Sequence, residues 1–393
     1  MESEISGLAT IVTVDKIDAI AQADKIERVG FQENDWHIVA KKDEFQKGTL
    51  AVFLSIGCTP DPECKATEFL KGQPIKTRKI KGVLSQGVLV PLTCLAQYDP
   101  SFVVQAKAGQ DVTKWMRVRK WIPPTEEYLY DEKQHSRTNT FPAWVPKTEE
   151  QRIQNCKSSL QEILDHQLEV VITQKDDGTS TTFIYVRAQS VSTTTVNNTP
   201  SPSSSSSTTV TTTARADNNT PSTPASKDVF LVCGRNYVIP QPSAETKENP
   251  SQKMYWEMAE KYKIQEGMVK LGRSLAIQGE TAGPKINGNR MKLVSTDFFV
   301  FNIWDIDQAC YLTWEEVESL CQTLGLKTVK VVHKGKLPSE WQTVESLLQV
   351  AEKQTYREGV PAEGIVIKSN RGKQFPHISF KVISNRYLLQ HDI

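Results

Sequence analysis

Lys175 opens the string KDDGTS, and four further strings follow it: CGRN at 233–236, QGE at 278–280, EGIVIK at 363–368 and SFKVIS at 379–384. Together they supply one amine, the carboxylates Asp177, Glu280 and Glu363, and the cations Arg235, Lys368 and Lys381. That is an inventory for attack on a nucleotide phosphate, in which a lysine amine forms a bond to phosphorus. A lysine at rest is a poor nucleophile because its pKa lies at about 10.4, so burial or neighbouring cations must lower it. Lys368 and Lys381, together with a divalent metal, are the candidate neighbours. Taken alone, K-x-D-G equally describes a lysine in an exposed turn, since D-D-G is good turn chemistry. A lone Glu equally describes a solvated surface charge. Order and context carry the argument, because each string sits in or beside a β-like apolar run.

Those runs must position the residues. LEVVITQ leads into KDDG, STTFIYVRA follows as a second strand, and further β-like runs lie at 275–280, 297–304, 328–333, 364–368 and 378–383. Helical periodicity marks EEQRIQNCKSSLQEILDHQ, with Ile153, Leu160, Ile163 and Leu164 on one face, and also PSQKMYWEMAEKYKI and TVESLLQVAEKQTY. In LTWEEVESLCQTLGL, Thr313 is placed as N-cap, Glu316 completes a capping box and Gly325 stops the helix. The mixture predicts an α+β domain with antiparallel sheets and flanking helices. Ser, Thr, Pro and Asn dominate residues 190–226, a tract too poor in apolar groups to offset its ordering entropy. It is predicted to be a disordered expansion of the hairpin loop joining FIYVRA to KDVFLVCGR. Nearer the N-terminus, LATIVTV, WHIVAKK, LAVFLSI and GVLSQGVLVPL predict a small β-barrel.

The ordered strings resemble the motifs of the covalent nucleotidyltransferases, which comprise RNA ligases, DNA ligases and mRNA capping enzymes. Within that superfamily the chain resembles the ATP-dependent RNA ligases with an N-terminal OB-like domain, the Deinococcus and Naegleria type. LATI, ADKIERV, WHIVAKKDEF, KGTLAVFLSIG and SQGVLVPL follow the order of that OB-like domain, and KVISNRYLL looks like the group's C-terminal signature. The resemblance implies an OB-like β-barrel over 1–115 that binds RNA, a linker over 116–140, and a nucleotidyltransferase domain over 141–393 interrupted by 190–226. On that division the fragment 140–393 is expected to adenylylate itself without the first domain.

The resemblance also implies a reaction. Lys175 takes AMP from ATP, passes it to an RNA 5′-phosphate, and the 3′-hydroxyl then attacks as AMP leaves. It places Asp177, Glu280 and Glu363 near the phosphates, holding Mg²⁺ or Mn²⁺ through water, and Lys381 on the α-phosphate. Arg235 meets phosphate or ribose, and Lys368 lines the nucleotide site. Phe301, or its rival Phe299, stacks on adenine, although a core Phe reads equally well at either position. Arg152 and Gln154 are weaker candidates for ATP or RNA contact. The chain departs from the family at Gly234, at Gln174, and in having a single lysine in the last motif, S-F-K rather than K-x-K. The run KTRKIKG, with Lys76, Arg78, Lys79 and Lys81, reads either as an RNA-backbone track or as a solvated loop. DNA ligases and capping enzymes carry their OB domain after the last motif, and here that motif nearly ends the chain. A catalytically dead nucleic-acid-binding relative is the rival from another class; retention of Lys175 and the carboxylates opposes it.

Composition sets outer bounds. The 393 residues suggest two or three domains, and a formal net charge of +1 supplies no global attraction for nucleic acid. No apolar stretch approaches the length of a membrane span. MESEISGLATI lacks the basic and apolar regions of a secretory signal. Seven scattered cysteines without a CxxC pair argue against a disulfide framework or zinc site and for a reducing compartment. The expectation is an intracellular monomer acting on RNA, with no membrane partner.

Overall fold

The computed structural model describes residues 6–121, 140–188, 227–242, 250–370 and 377–393. The tract 190–226 and most of the expected linker, 122–139, lie outside the described residues. Near the N-terminus, strands β1 (Ala9–Ile20), β2 (Ala23–Phe31), β3 (His37–Lys41), β4 (Leu50–Leu54) and β5 (Val88–Pro91) pair antiparallel in the order β3-β2-β1-β4-β5. The Gln86 N–H donates to the His37 carbonyl at 2.9 Å, so the sheet curls back on itself. Alternation sends Ile11, Val29, Ile38, Val52 and Val90 inside, around Trp36 and Phe53. This is the expected OB-like barrel.

Beyond the barrel the longer strands are β6 (Glu169–Lys175), β7 (Thr179–Val186), β8 (Val229–Cys233), β9 (Leu275–Ala282), β10 (Asp297–Asp305), β11 (Val331–Lys336), β12 (Gly364–Ser369) and β13 (Ser379–Ile383). One sheet runs β13-β12-β6-β11, and the other runs β8-β7-β9-β10. β7 and β8 pair as a hairpin, Val186 opposite Val229, across the Ser/Thr-rich tract. Helices α1 (Lys157–Asp165), α2 (Pro250–Lys261), α3 (Ile264–Leu271), α4 (Trp314–Leu324), α5 (Val344–Glu352) and α6 (Asn385–His391) flank them. Val170, Ile172, Ile365, Ile367 and Phe380 turn one face of the first sheet onto α1 and α5. Each such side chain contributes roughly 1.5–3 kcal/mol by leaving water. The other face of that sheet is left for chemistry. Among the described residues no helix is long and apolar enough to cross a membrane.

The α4 caps stand as predicted, with Thr313 and Glu316 forming a capping box and Gly325 in the left-handed C-cap. The long helix predicted from residue 149 onward is shorter than its periodicity suggests. Gln151–Arg152 instead adds a parallel edge to β13, Arg152 opposite Lys381, and the helix begins at Lys157. Backbone pairing to an open strand edge overrides local propensity there.

The two parts are fastened together. Trp36 donates its indole N–H to Asn155 Oδ1 at 2.7 Å, and the Asp35 N–H donates to the Gln154 carbonyl at 3.0 Å. Ile383 and Leu388, at the end of β13 and in α6, belong to the core of the N-terminal barrel. That contact bears on the expectation that 140–393 works alone: removing the barrel would bare two buried aliphatic side chains, Ile383 and Leu388.

Candidate active site

Lys175 is the last residue of β6, and the chain turns through Asp176, Asp177 and Gly178 before β7 returns. Gly178 packs so closely that a Cβ would lie 2.2 Å from the Thr281 carbonyl oxygen. Its N–H donates to Glu280 Oε1 at 3.1 Å, which ties the turn to the other sheet. On its own sheet Lys175 lies opposite Gly364, where a Cβ would meet the Val382 carbonyl at 2.0 Å. Glu363 therefore emerges beside the lysine, its Oε2 accepting from Nζ at 2.9 Å. Directly opposed residues share a face, so Lys175, Val366, Lys381 and Lys368 all point to the same side. Arg152, opposite Lys381, extends that row.

The electrostatics differ from the expected pattern. Lys175 is not eased towards neutrality. Burial works against its charge, but Glu363, Glu280 and Asp177 outweigh burial and hold its pKa above the ordinary lysine value. Lys381 carries the depression instead, pushed down to about 7 by burial and then by Lys175 and Arg152. Arg152 is itself lowered, to about 10, by burial. Lys368 does not neighbour Lys175. It lies opposite Val171, four residues back along β6, roughly 13 Å away at strand rise. There burial lowers it to about 8. Its Nζ donates to the Phe301 carbonyl at 2.7 Å and to Asn302 Oδ1 at 2.9 Å, and stands 5.3 Å from the Phe301 ring centre.

Carboxyl groups crowd the same cleft. Burial raises Glu280 to about 8, with Lys175 and Arg235 opposing and Glu363 and Asp177 adding to the rise. Asp176 goes to about 7, by burial first and then the carboxylates Glu363 and Asp177, against Lys175. Among the described residues no three His, Cys, Asp or Glu side chains converge as a ready-made metal cage.

Asp177 is held in that cleft by three side-chain donors. Its Oδ1 accepts from Asn287 Nδ2 at 3.0 Å, and its Oδ2 accepts from Arg290 Nη1 at 3.1 Å and from the Tyr387 hydroxyl. Tyr356 braces the other side of the turn, donating to the Lys175 carbonyl at 2.8 Å and accepting from the Glu363 N–H at 3.1 Å. Asn287, Arg290 and Tyr356 carried no signal in the sequence, and Asp176 was read there only as part of the D-D-G turn. Tyr387 lay unremarked inside KVISNRYLL.

The structure thus brings Lys175, Asp177, Glu280, Glu363 and Lys381 to one cleft, with Arg235 close enough to Glu280 to oppose its rise. Phe301 occupies a bulge in β10: Val300 pairs with Gly279 and Asn302 with Gln278, so Phe301 has no partner. Phe299 pairs directly with Glu280. The basic run near residue 80 divides. Lys76 and Arg78 pair with Asp392 at 2.7 and 2.5 Å, whereas Lys79 and Lys81 are exposed.

A family model described as RNA ligase matches residues 168–383, and one described as an OB-fold domain matches residues 8–92. No curated protein matches the chain in sequence. Among solved structures, a mutant of Naegleria gruberi RNA ligase with ATP and Mn is 29% identical over 98% of each chain, with a TM-score of 0.73. A mutant of the same ligase with AMP and Mn is 29% identical, covering 98% of this chain and 99% of that one, with a TM-score of 0.74. The ligase with PPi is 29% identical over 98% of each chain, at 0.73.

Proposed function

The chain belongs to the RNA ligase family, and from that premise and the geometry of the cleft we propose that it seals RNA through AMP carried on Lys175. It is an ATP-dependent RNA ligase. The observation that carries the site assignment is the pair Lys175–Glu363 at 2.9 Å, set among carboxylates with Lys381 on the same sheet face.

In the first step Lys175 Nζ attacks the α-phosphorus of ATP. The bond from that phosphorus to the β-phosphate oxygen breaks and pyrophosphate leaves. The proton that Nζ must shed has Glu363 Oε2 at 2.9 Å, within reach for transfer. Without nucleotide that carboxylate keeps the amine charged, so the ion pair must loosen before attack. Lys381 has the complementary task. Its ammonium is disfavoured by burial and by Lys175 and Arg152, and the negative α-phosphate would stabilise it. Phe301 stacks on adenine beside Lys368, and Arg235 meets the phosphates or ribose from the end of β8.

Mg²⁺ or Mn²⁺ fits this donor set. Glu280 and Asp176 are held towards neutrality by burial and neighbouring carboxylates, a strain that a cation removes. Glu280 and Glu363 would hold the ion, largely through its own water shell, and it would supply positive charge to the phosphate oxygens. Asp177, with three donors on its two oxygens, positions the turn.

In the later steps an oxygen of the RNA 5′-phosphate attacks the AMP phosphorus and frees Lys175. The RNA 3′-hydroxyl then attacks the activated 5′-phosphate and AMP leaves. Seven free cysteines support a reducing, intracellular setting. The test is label transfer from α-labelled ATP to protein: Lys175→Ala should abolish it. Persistent labelling of that variant would refute the assignment, and preference for GTP would refute the nucleotide.

A further inference from the structure

The connection between β9 and β10, residues 283–296, reads GPKINGNRMKLVST and contains no Asp or Glu. Its backbone is stiffly built. Lys285, Asn287, Asn289 and Lys292 hold left-handed φ values of 70°, 44°, 50° and 55°. Asparagine tolerates that region, and lysine rarely enters it. The surroundings impose it. Asn287 Nδ2 donates to the Gly178 carbonyl at 2.6 Å and to Asp177 Oδ1 at 3.0 Å. Asn289 bonds Leu293 twice, its Oδ1 accepting from the N–H at 2.9 Å and its Nδ2 donating to the carbonyl at 2.8 Å. Met291 is buried. Lys285 and Lys292 stand exposed, and neither forms an ion pair among the described residues. A loop fixed in advance loses little freedom when it binds an anion.

This loop borders the turn that presents Lys175, since Arg290 Nη1 stands 3.1 Å from Asp177 Oδ2. The base end of the cleft, at Phe301 and Lys368, lies the other way along β6. With adenine seated there, the turn end is where RNA can enter. From the loop the positive surface continues across the C-terminus. Burial, and then Arg290 and Lys292, hold the His391 pKa below the ordinary histidine value, against Asp177. Beside it Asp392 accepts from Lys76 at 2.7 Å and from Arg78 at 2.5 Å. Those two cations open a hairpin, Arg78–Ile80 paired with Val83–Ser85, which also carries the exposed Lys79 and Lys81. Residues 76–87 again contain no Asp or Glu. The whole chain has a net charge of only +1, so this positive surface is a local concentration.

We propose that the loop 283–296 is an RNA-backbone site, holding on Lys285 and Lys292 the phosphates next to the 5′-phosphate end, and that the hairpin 76–87 continues the same track outward. A 5′-phosphate brought to the AMP phosphorus lies beside the turn. Its chain then leaves over the loop first and the hairpin second. Lysine suits the task because it meets phosphate as a point charge, and contacts to phosphate carry no demand for sequence.

The proposal rests on Lys175 as the carrier of AMP, and the two fail separately. Full-length protein is labelled with ATP and metal alone. The isolated enzyme–AMP is then mixed with 5′-phosphorylated single-stranded RNA in single turnover, over a range of RNA and salt concentrations. Lys285→Ala/Lys292→Ala should label at the wild-type rate and with the wild-type half-saturation by ATP. It should need on the order of tenfold more RNA for half-maximal transfer. Its log affinity should fall with log salt on a slope shallower by about 1.4, the loss of two single-strand phosphate contacts. Lys79→Ala/Lys81→Ala should show the same defect with RNA of about 16 nucleotides and little defect with RNA of about 4, whereas the loop variant is impaired with both. Label persisting on Lys175→Ala refutes the carrier. A loop variant that labels normally and keeps the wild-type RNA dependence and salt slope overturns the track. So does a raised half-saturation by ATP, which would assign the two lysines to the nucleotide's own phosphates. A hairpin defect with the shortest RNA and no loop defect overturns it as well.

Discussion

Lys381→Met should stabilise the nucleotide-free protein while abolishing its labelling by ATP. The ammonium of Lys381 lies in the cleft with Lys175 and Arg152 acting against it, and its pKa falls from 10.5 to about 7. At about 1.4 kcal/mol per unit, that shift sets ~5 kcal/mol against the charged form below pH 7. Between pH 7 and 10.5 the unfolded chain binds this proton and the folded protein does not, so stability rises with pH across that window. The residual burden at pH 9 is ~2 kcal/mol by the same arithmetic. Methionine fills similar volume without charge. Melting should therefore rise on the order of 5–10 °C at pH 7 and by less than half as much at pH 9. Thermal melts of wild type and variant at the two pH values, alongside ATP labelling, measure both consequences. A variant no more stable than wild type at pH 7, or one whose advantage grows with pH, would refute the idea that the folded protein disfavours the charge on this lysine.

Gly178→Ala should abolish adenylylation and lower melting sharply, because its Cβ would lie 2.2 Å from the Thr281 carbonyl and force β7 from β9; a folded, active variant would contradict that packing. Lys79→Glu/Lys81→Glu should weaken RNA binding in a salt-dependent way yet leave RNA-free labelling intact, read by binding at two salt concentrations. Replacing residues 192–225 with a short Gly-containing turn should leave labelling and melting nearly unchanged, since Val186 and Val229 already pair and loop length costs only ~0.6 kcal/mol per doubling. A large fall in either would mean the tract orders against the domain.

Much of this architecture was legible because its signals are local. Alternation marked the strands of the barrel, Thr313, Glu316 and Gly325 marked both ends of a helix, and the two halves of the β7–β8 hairpin could be joined across a tract unable to form a core. The strings that meet in the cleft were legible for the same reason: each holds a functional residue type in or beside a strand. The supports of Asp177 were not. Asn287, Arg290 and Tyr387 lie more than a hundred residues from it in sequence, and nothing local distinguishes them from surface polar groups. The charge of Lys175 was misjudged because proximity among cations and carboxylates is a matter of register. Gly364 brings Glu363 to the amine, while Lys368 sits four residues away along the strand. The pairing of Lys76 and Arg78 with Asp392 was equally hidden, because a basic run says nothing of an acid at the far end of the chain.

The most direct test of the account is to isolate protein labelled with α-labelled ATP, map the labelled peptide, and then add RNA bearing a 5′-phosphate and a 3′-hydroxyl end. The account predicts that the label lies on Lys175, moves to RNA 5′ ends, and is released as AMP when the ends are sealed. A label on Lys368 or Lys381, or a label on Lys175 that RNA cannot remove, would contradict it.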